Sequence, residues 1–414
     1  MFLSPFIPTK IDIFCFKTLS LYIIKQLKPT MKITRFTALL SAMGLLVLTT
    51  TYCTPSRETL AKEEMERVME KNSAIGLAVA VVKGGEIIYT QSFGYKSLED
   101  STLLAEGDVF RIASISKSFT TTALLTLMEK GLISLDQDVS ELTGFPVRNP
   151  AFPEVIITVK MLLSHTSSLN DSQGYFNLDV INPEKNKEFE KSYNPYEPGT
   201  QYEYCNLGFN TLGAIAEKLA VERFDQFIRH TVLEPLGLYA SFNPDSLDRA
   251  KYVSLYDSVP APQPAAYVSR AKQLDSGYVM GYSTPLFSPT GGMKISATDL
   301  AKYMIMHMNY GALQNGGRVI SEETSRLMQS PVVETAEGET YGLALRQSKN
   351  FIPGEVMVGH TGSAYGLYSA MFFEPEKKFG IVLITNGCNP VYEGGFVNIQ
   401  TDVARALYDI FIKE

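Results

Sequence analysis

The chain has 414 residues, of which 45% are hydrophobic and 20% are charged, so it can build a large apolar core. The net charge of −7 excludes the basic footprint of a nucleic-acid-binding protein. Its four cysteines and four histidines are scattered, without a CxxC pair or an HExxH motif. We therefore predict no metal site, no cofactor and no nucleic-acid partner.

The N-terminal part of the chain has the pattern of a secretion signal. Lys32 and Arg35 precede an apolar run at residues 36–48, which has signal-peptide length and is too short for a bilayer span. This pattern is well formed only from Met31 onward. We therefore predict that translation begins there and that residues 1–30 are not part of the true protein.

Residues 31–53 are predicted to be a signal peptide or a lipoprotein signal. Cys53 follows the apolar run directly, so it is a candidate for lipidation and for anchorage to a membrane. Tyr52 fits poorly, because a lipoprotein signal prefers a small residue before the cysteine. A plain cleavage site and an uncleaved anchor are the alternatives. In each case we expect the protein to be exported, either periplasmic or held at a membrane.

Residues 54–414 are predicted to form one domain of mixed α/β (α+β) class. A charged amphipathic helix at 57–72 precedes a buried-strand pattern at 76–82, a Gly-Gly hairpin turn and a returning strand. Further strand patterns gather near the other end of the chain, followed by a last helix at about 397–412. We expect an antiparallel sheet built from both chain ends (about 54–135 and 285–414), flanked by helices, with an inserted, mostly helical part at about 136–284.

The most informative short motif is Ser114-x-x-Lys117, which lies near the start of a predicted helix. Residues three apart share one helix face, so the hydroxyl and the amine can touch. A desolvated lysine can accept the serine proton, and backbone N–H groups at a helix start can bind a developing oxyanion. On its own this four-residue pattern is common and weak, so its meaning depends on partners elsewhere in the chain.

Two further motifs follow in order, Tyr204-x-Asn206 and His360-Thr361-Gly362. With them the chain resembles the serine β-lactamase-like and penicillin-binding superfamily, most closely the branch of class C β-lactamases, D-aminopeptidases and esterases. The resemblance extends from about Gly76 to the C-terminus. Supporting blocks lie at residues 110–114, 162–167, 197–208, 235–237 and 291–292.

The resemblance implies a role for each motif residue. Ser114 is the expected nucleophile, Lys117 its proton partner, and Tyr204 a shared proton carrier whose phenolate Lys117 favours. Asn206 is expected to bind Lys117 and a substrate amide. Thr361 and Gly362 are expected to let a substrate strand lie along the sheet edge, beside His360. The expected oxyanion hole consists of the backbone N–H groups of Ser114 and Ser363.

These features predict an exported serine hydrolase that forms an acyl-enzyme on Ser114. It would cleave an ester or amide in a small or peptidoglycan-like substrate: a D-amino-acid peptide, a β-lactam or a small ester. His360 replaces the superfamily's usual lysine, and a mostly neutral histidine weakens the case for an efficient β-lactamase. The alternative is a penicillin-binding or peptidoglycan-sensing protein that does not turn over.

Three other residues, His165, Cys205 and Cys388, need a separate interpretation. His165 could serve as a base, but a histidine that opens a polar loop is more often structural. Cys205 is expected to point away from the cleft and to pack in the interior. A disulfide between Cys205 and Cys388 is an unfavoured option. Substrate specificity is expected to reside in the loop-rich segments 170–200 and 240–290.

Overall fold

A computed structural model describes residues 55–257 and 261–413, and the fold below is that of the unit Arg57–Glu414. The predicted start at Met31 and the candidate lipidation site Cys53 lie outside the described residues. No helix in the described part of the chain has both the length and the apolar character needed to cross a membrane.

The described helices begin with the charged amphipathic segment at 57–72, as predicted. They are α1 (Arg57–Asn72), α2 (Ser116–Glu129), α3 (Val139–Thr143), α4 (Val159–Leu163), α5 (Asn206–Ala220), α6 (Phe224–Ile228), α7 (Ala271–Asp275), α8 (Ala297–Met308), α9 (Glu322–Gln329) and α10 (Asn398–Leu407). Short π-helical stretches extend α6 to Leu233 and α10 to Ile412.

The strands form one large antiparallel sheet and two short pairs. They are β1 (Gly76–Lys83), β2 (Glu86–Ser97), β3 (Thr102–Leu103), β4 (Phe110–Arg111), β5 (Lys294–Ile295), β6 (Val333–Glu334), β7 (Thr340–Tyr341), β8 (Arg346–Ser348), β9 (Met357–Ala364), β10 (Leu367–Glu374), β11 (Phe379–Thr385), β12 (Tyr392–Glu393) and β13 (Phe396–Val397). The nine-stranded sheet has the order β3-β2-β1-β11-β10-β9-β8-β7-β6. The predicted sheet from both chain ends is therefore confirmed, because β1 pairs directly with β11.

Strand β1 is apolar from Leu77 to Val82 because both of its faces are covered. Its odd positions, Leu77, Val79 and Val81, belong to the core beneath α1 and α10, whereas Ala78 and Val82 face the core that contains α2, α5 and α8. The two-residue turn into β2 is made by Gly84 and Gly85, both with positive φ, as a twisted hairpin requires.

The part inserted between the two sheet portions contains α3 to α7, joined by 3₁₀ turns and long loops. Its longest helix, α5, packs against α2, so the Tyr204-x-Asn206 motif at the start of α5 is brought beside the Ser114-x-x-Lys117 motif. This contact between helices is what assembles the site from distant parts of the chain.

Replacing Gly359 by alanine tests the close packing of β9 against β10. The new Cβ would overlap the carbonyl oxygen of Met371 and lie 2.8 Å from Cα of Phe372, so backbone would have to shift. We expect Gly359→Ala to lower the free energy of unfolding by about 1–3 kcal/mol, measured by urea denaturation followed by far-ultraviolet circular dichroism.

The matched control is Gly208→Ala in α5, where the nearest atom to the new Cβ is 3.5 Å away. Because alanine favours a helix over glycine, this variant is expected to be neutral or more stable by about 0.5–1 kcal/mol. Equal unfolding midpoints for both variants would contradict the packing described here.

Candidate active site

Ser114 lies in a single 3₁₀ turn, Ala113–Ile115, that leads directly into α2. Ala113 has φ of +48°, a left-handed conformation that costs energy in a residue with a side chain. Ser116 holds the turn in place: its hydroxyl donates to the Ala113 carbonyl at 2.6 Å and accepts the Met293 N–H at 3.0 Å. The strained turn therefore presents Ser114 at the entrance of a helix.

Lys117 is fully buried one turn after Ser114. Its Nζ donates to the Ser114 Oγ at 3.2 Å, to the Asn206 Oδ1 at 2.8 Å and to the Thr290 carbonyl at 3.0 Å. All three acceptors are uncharged. Burial therefore lowers the pKa of Lys117 to about 7, against a smaller raising effect from the charge of Asp171.

Asp171 is a site residue that the sequence analysis did not identify. Its Oδ2 accepts the Asn206 backbone N–H at 3.0 Å and side-chain Nδ2 at 2.8 Å, and its Oδ1 accepts the Leu207 N–H at 2.9 Å. The carboxylate thus caps α5 from a distant loop, because Cys205 at the N-cap makes no side-chain cap. It also orients the Asn206 amide so that the oxygen faces Lys117.

The Asn206 Oδ1 accepts a hydrogen bond from a second residue, Thr290. Thr290 Oγ1 donates to the Asn206 Oδ1 at 2.7 Å. Thr290 therefore contacts Lys117 through its own carbonyl and through Asn206, and it too was not identified from the sequence. The only signal in the sequence is its position directly before the Gly291-Gly292 turn.

Tyr204 places a half-buried phenol at the same centre. The Lys117 Nζ lies over its ring, 4.6 Å from the centroid, rather than on its hydroxyl. Burial raises the pKa of Tyr204, and its hydrogen bond with Ser114 lowers the pKa by less. The phenolate favoured by Lys117 stays a prediction: the Lys117 Nζ lies over the ring, and burial favours the neutral phenol.

His165 packs beside Tyr204, with ring centroids 4.3 Å apart, and contacts no part of Ser114 in the described hydrogen bonds. Its Nδ1 accepts the Cys205 N–H at 3.1 Å. Burial, the largest effect, and the nearby charge of Lys117 hold the pKa of His165 well below its ordinary value. The geometry agrees with the structural interpretation of this histidine.

His360 lies in β9 and is neutral with both ring nitrogens occupied. Its Nδ1 donates to the Thr361 carbonyl at 2.5 Å, so Nε2 is left to accept the Tyr341 hydroxyl at 3.2 Å. Burial and then the charge of Lys117 lower the pKa of His360 to about 3. The residue in the place of the superfamily lysine therefore supplies no positive charge.

Gly362 allows β9 to approach the turn that carries Ser114. A Cβ at this position would overlap the carbonyl oxygen of Ile112 and lie 3.2 Å from its carbonyl carbon. Ser369 Oγ, from the next strand, donates to the same Ile112 carbonyl at 3.1 Å. Gly362 thus has a packing role that the sequence analysis did not assign to it.

The strand edge predicted to bind substrate belongs to β9, which is an interior strand of the sheet. Strand β8 pairs with β9 only over Met357–Gly359, so the described part of β8 leaves the rest of β9 without a strand partner on that side. Thr361 and Ser363, in this unpaired half, line a cavity of about 700 Å³ together with Ser114. The backbone N–H groups proposed for the oxyanion hole therefore belong to residues that border one space.

That cavity, the catalytic cleft, has two chemically different ends. One end is lined by Arg111, Tyr175 and Tyr365. The other is lined by aromatic and charged side chains that surround the His360 contact, namely Tyr202, Tyr341, Arg346 and Glu337. Within residues 55–257 and 261–413, no group of three His, Cys, Asp or Glu side chains is placed to hold a metal ion.

The predicted site residues occupy one region. Ser114, Tyr204, Asn206, His360, Thr361 and Ser363 line the catalytic cleft, with Lys117 and Gly362 directly behind it. Cys205 is buried and its Sγ lies 3.4 Å from the Asp171 Oδ1, while Cys205 and Cys388 are both free thiols. The unfavoured disulfide is therefore absent.

The chain is similar to known penicillin-binding proteins. The chain is 30% identical over 210 residues to penicillin-binding protein 4* of Bacillus subtilis, a match that covers 46% of this chain and 44% of that protein. It is 27% identical over 362 residues to penicillin-binding protein 4 of Amycolatopsis lactamdurans, covering 84% and 88% of the two chains. The chain thus spans less than half the length of the Bacillus protein.

Solved structures and a family profile extend the comparison. The structure of EstCE1, a hydrolase with promiscuous acyltransferase activity, superposes with a TM-score of 0.67 at 20% identity, covering 85% of this chain and 98% of that one. This likeness concerns the fold. The profile of the Beta-lactamase family matches residues 61–399. The chain belongs to the Beta-lactamase family.

Proposed function

We propose that this protein is a serine hydrolase that cleaves an ester or amide through an acyl-enzyme on Ser114. The observation that carries the proposal is the contact between the Ser114 Oγ and a buried Lys117 amine whose pKa is lowered to about 7. A neutral amine at this position can take the serine proton near neutral pH.

The proposed reaction uses the residues around the cleft in sequence. Neutral Lys117 accepts the Ser114 proton while Oγ attacks the substrate carbonyl, and the N–H groups of Ser114 and Ser363 bind the resulting oxyanion. The Tyr204 phenol donates its proton to the leaving group and is reprotonated by Lys117. Water then hydrolyses the acyl-enzyme by the reverse proton transfers and restores Ser114.

The substrate classes proposed are D-amino-acid peptides, small esters and β-lactams. The neutral state of His360 supports the first two over a β-lactam, because a β-lactam carboxylate would meet no cation at this strand. The unpaired half of β9 supports an extended, peptide-like substrate, which could form backbone hydrogen bonds there. Export through residues 31–53 is part of the same proposal.

A second candidate is a penicillin-binding or peptidoglycan-sensing protein that is acylated without turnover. The names of the Bacillus and Amycolatopsis relatives support it, since both are penicillin-binding proteins. A burst of p-nitrophenol equal to the enzyme concentration, without steady release, would favour this candidate over the hydrolase.

Replacing Ser114 by alanine tests the proposed nucleophile. We expect at least a thousandfold loss of steady hydrolysis across a panel of nitrocefin, p-nitrophenyl esters and D-Ala-D-Ala peptides, because the Ser114 Oγ is the cleft hydroxyl that contacts the Lys117 amine. Ser330→Ala, at the exposed end of α9, serves as the control and should retain full activity. Unchanged hydrolysis in Ser114→Ala would refute the assignment.

The pH dependence tests Lys117 as the base. Its amine must be neutral to accept a proton, so kcat/KM for p-nitrophenyl acetate should fall about tenfold per pH unit below a midpoint near 7. The profile is measured under conditions where circular dichroism reports a folded protein. A flat profile between pH 5 and 8 would exclude this role for Lys117.

Asp171→Asn tests the carboxylate that the sequence did not reveal. Asp171 raises the pKa of Lys117 through its negative charge, so its removal should move the acidic limb of the kcat/KM profile to lower pH. Glu190→Gln, an exposed carboxylate of the same segment, is the charge-matched control and should leave the limb in place. A limb that stays near 7 or moves upward in Asp171→Asn would contradict the electrostatic coupling.

A further inference from the structure

A second cavity of about 700 Å³ adjoins the catalytic cleft. The two share Phe176 and Tyr365 as common walls. The second cavity is lined mainly by apolar and aromatic side chains from the loop-rich segment before β5, among them Val268, Tyr278, Tyr282 and Leu286. Arg270 is the only charged residue in its described lining.

Arg270 lies at this boundary without a counter-ion. Its Nε is buried and has no hydrogen-bond partner, and among the described residues no carboxylate oxygen lies within 4.0 Å of its guanidinium nitrogens. The carboxylate of Asp245 is close, but it accepts the backbone N–H groups of Arg270 and Ala271 and pairs with Arg249. Because Arg270 lines the second cavity and has no ion-pair partner among the described residues, its guanidinium can bind an anionic ligand there.

Arg111 adds a second positive charge on the cleft side of the same boundary. Its guanidinium lies 5.1 Å from the Tyr365 ring centroid and donates to two uncharged acceptors, the Gly291 carbonyl at 2.7 Å and the Ser288 Oγ at 3.4 Å. It forms no ion pair with any described carboxylate. This end of the cleft therefore carries two cations that form no ion pair with a described carboxylate.

The opposite end of the cleft has more negative than positive charge. Arg346 pairs with Glu339 at 3.2 Å, and Glu337 lines the cleft beside it. Tyr204 is linked to this end through the ring contacts of His360 and Tyr341. If Tyr204 protonates the leaving group, the leaving group departs toward Arg346 and the acyl group is left at the Arg111 end.

Resting on the proposed hydrolase function, we infer that the second cavity receives the acyl part of the substrate and that Arg270, assisted by Arg111, binds a carboxylate carried by that acyl part. The preferred substrates are esters or amides of an acyl group with an apolar body and an anionic end. An acyl group with a free ammonium is disfavoured there, because it would meet two cations that have no ion-pair partner among the described residues.

The experiment compares two esters that differ only in this charge: mono-p-nitrophenyl adipate and its methyl ester, with enzyme-free hydrolysis subtracted. The wild-type protein is expected to favour the anionic ester by about tenfold in kcat/KM, as one hydrogen-bonded charge pair provides. Arg270→Gln should abolish the preference by raising KM for the anionic ester while leaving the methyl ester unchanged. Lys272→Gln, which removes an exposed charge from α7 directly after Arg270, should keep the preference.

A binding measurement separates this inference from the proposed function. Monomethyl adipate is titrated by calorimetry into Ser114→Ala, with and without Arg270→Gln, so the readout requires no turnover. Hydrolysis of both esters with equal efficiency, or a preference that survives Arg270→Gln, overturns the inference and leaves the hydrolase intact. If neither ester is hydrolysed, the proposed function fails, and loss of monomethyl adipate binding in Arg270→Gln still supports the anion site. Binding that is absent or unaffected by Arg270→Gln overturns it.

Discussion

The site depends on one constraint. Lys117 is buried against neutral acceptors, and the side chain of Asn206 separates it from the carboxylate of Asp171. Asp171 binds the far side of the Asn206 amide, so the amide oxygen and not the carboxylate meets the amine. Direct pairing with Asp171 would keep Lys117 protonated and unable to accept the Ser114 proton. Asp171 orients the Asn206 amide, and the distance across that amide weakens the effect of the Asp171 charge on Lys117. The lowered pKa of Lys117 follows from this arrangement.

Close packing of the backbone holds Ser114 and Lys117 in the positions that this constraint requires. The turn at Ala113 is strained, and it is held by Ser116, by the Met293 backbone and by β9 where Gly362 has no side chain. Strained backbone persists when its surroundings over-determine it, and here two strands and a helix meet at the turn. Ser114 is therefore positioned by rigid elements, whereas part of the cleft wall, including Tyr175, Tyr202 and Glu337, comes from loops.

The substrate classes that we propose follow from the distribution of charge around the cleft. The third motif contributes a neutral His360, so positive charge is missing where the superfamily commonly has a lysine. It is found instead at the boundary with the second cavity, at Arg111 and Arg270. Arg346, at the other end, is already compensated by Glu339. This asymmetry makes the identity of the acyl group, more than that of the leaving group, the expected basis of selectivity.

The sequence by itself determined what rests on local spacing and periodicity. The apolar run of β1, the Gly84-Gly85 hairpin and the Ser114-x-x-Lys117 face were all readable, because strand alternation, turn geometry and helical spacing act over a few residues. Only the tertiary structure decided the contacts of Asp171 and Thr290 and the protonation states of the site. Thr290 lies 173 residues from Lys117 along the chain, so no local pattern records their contact. A pKa depends on burial, and burial exists only once α2, α5 and β9 have packed together.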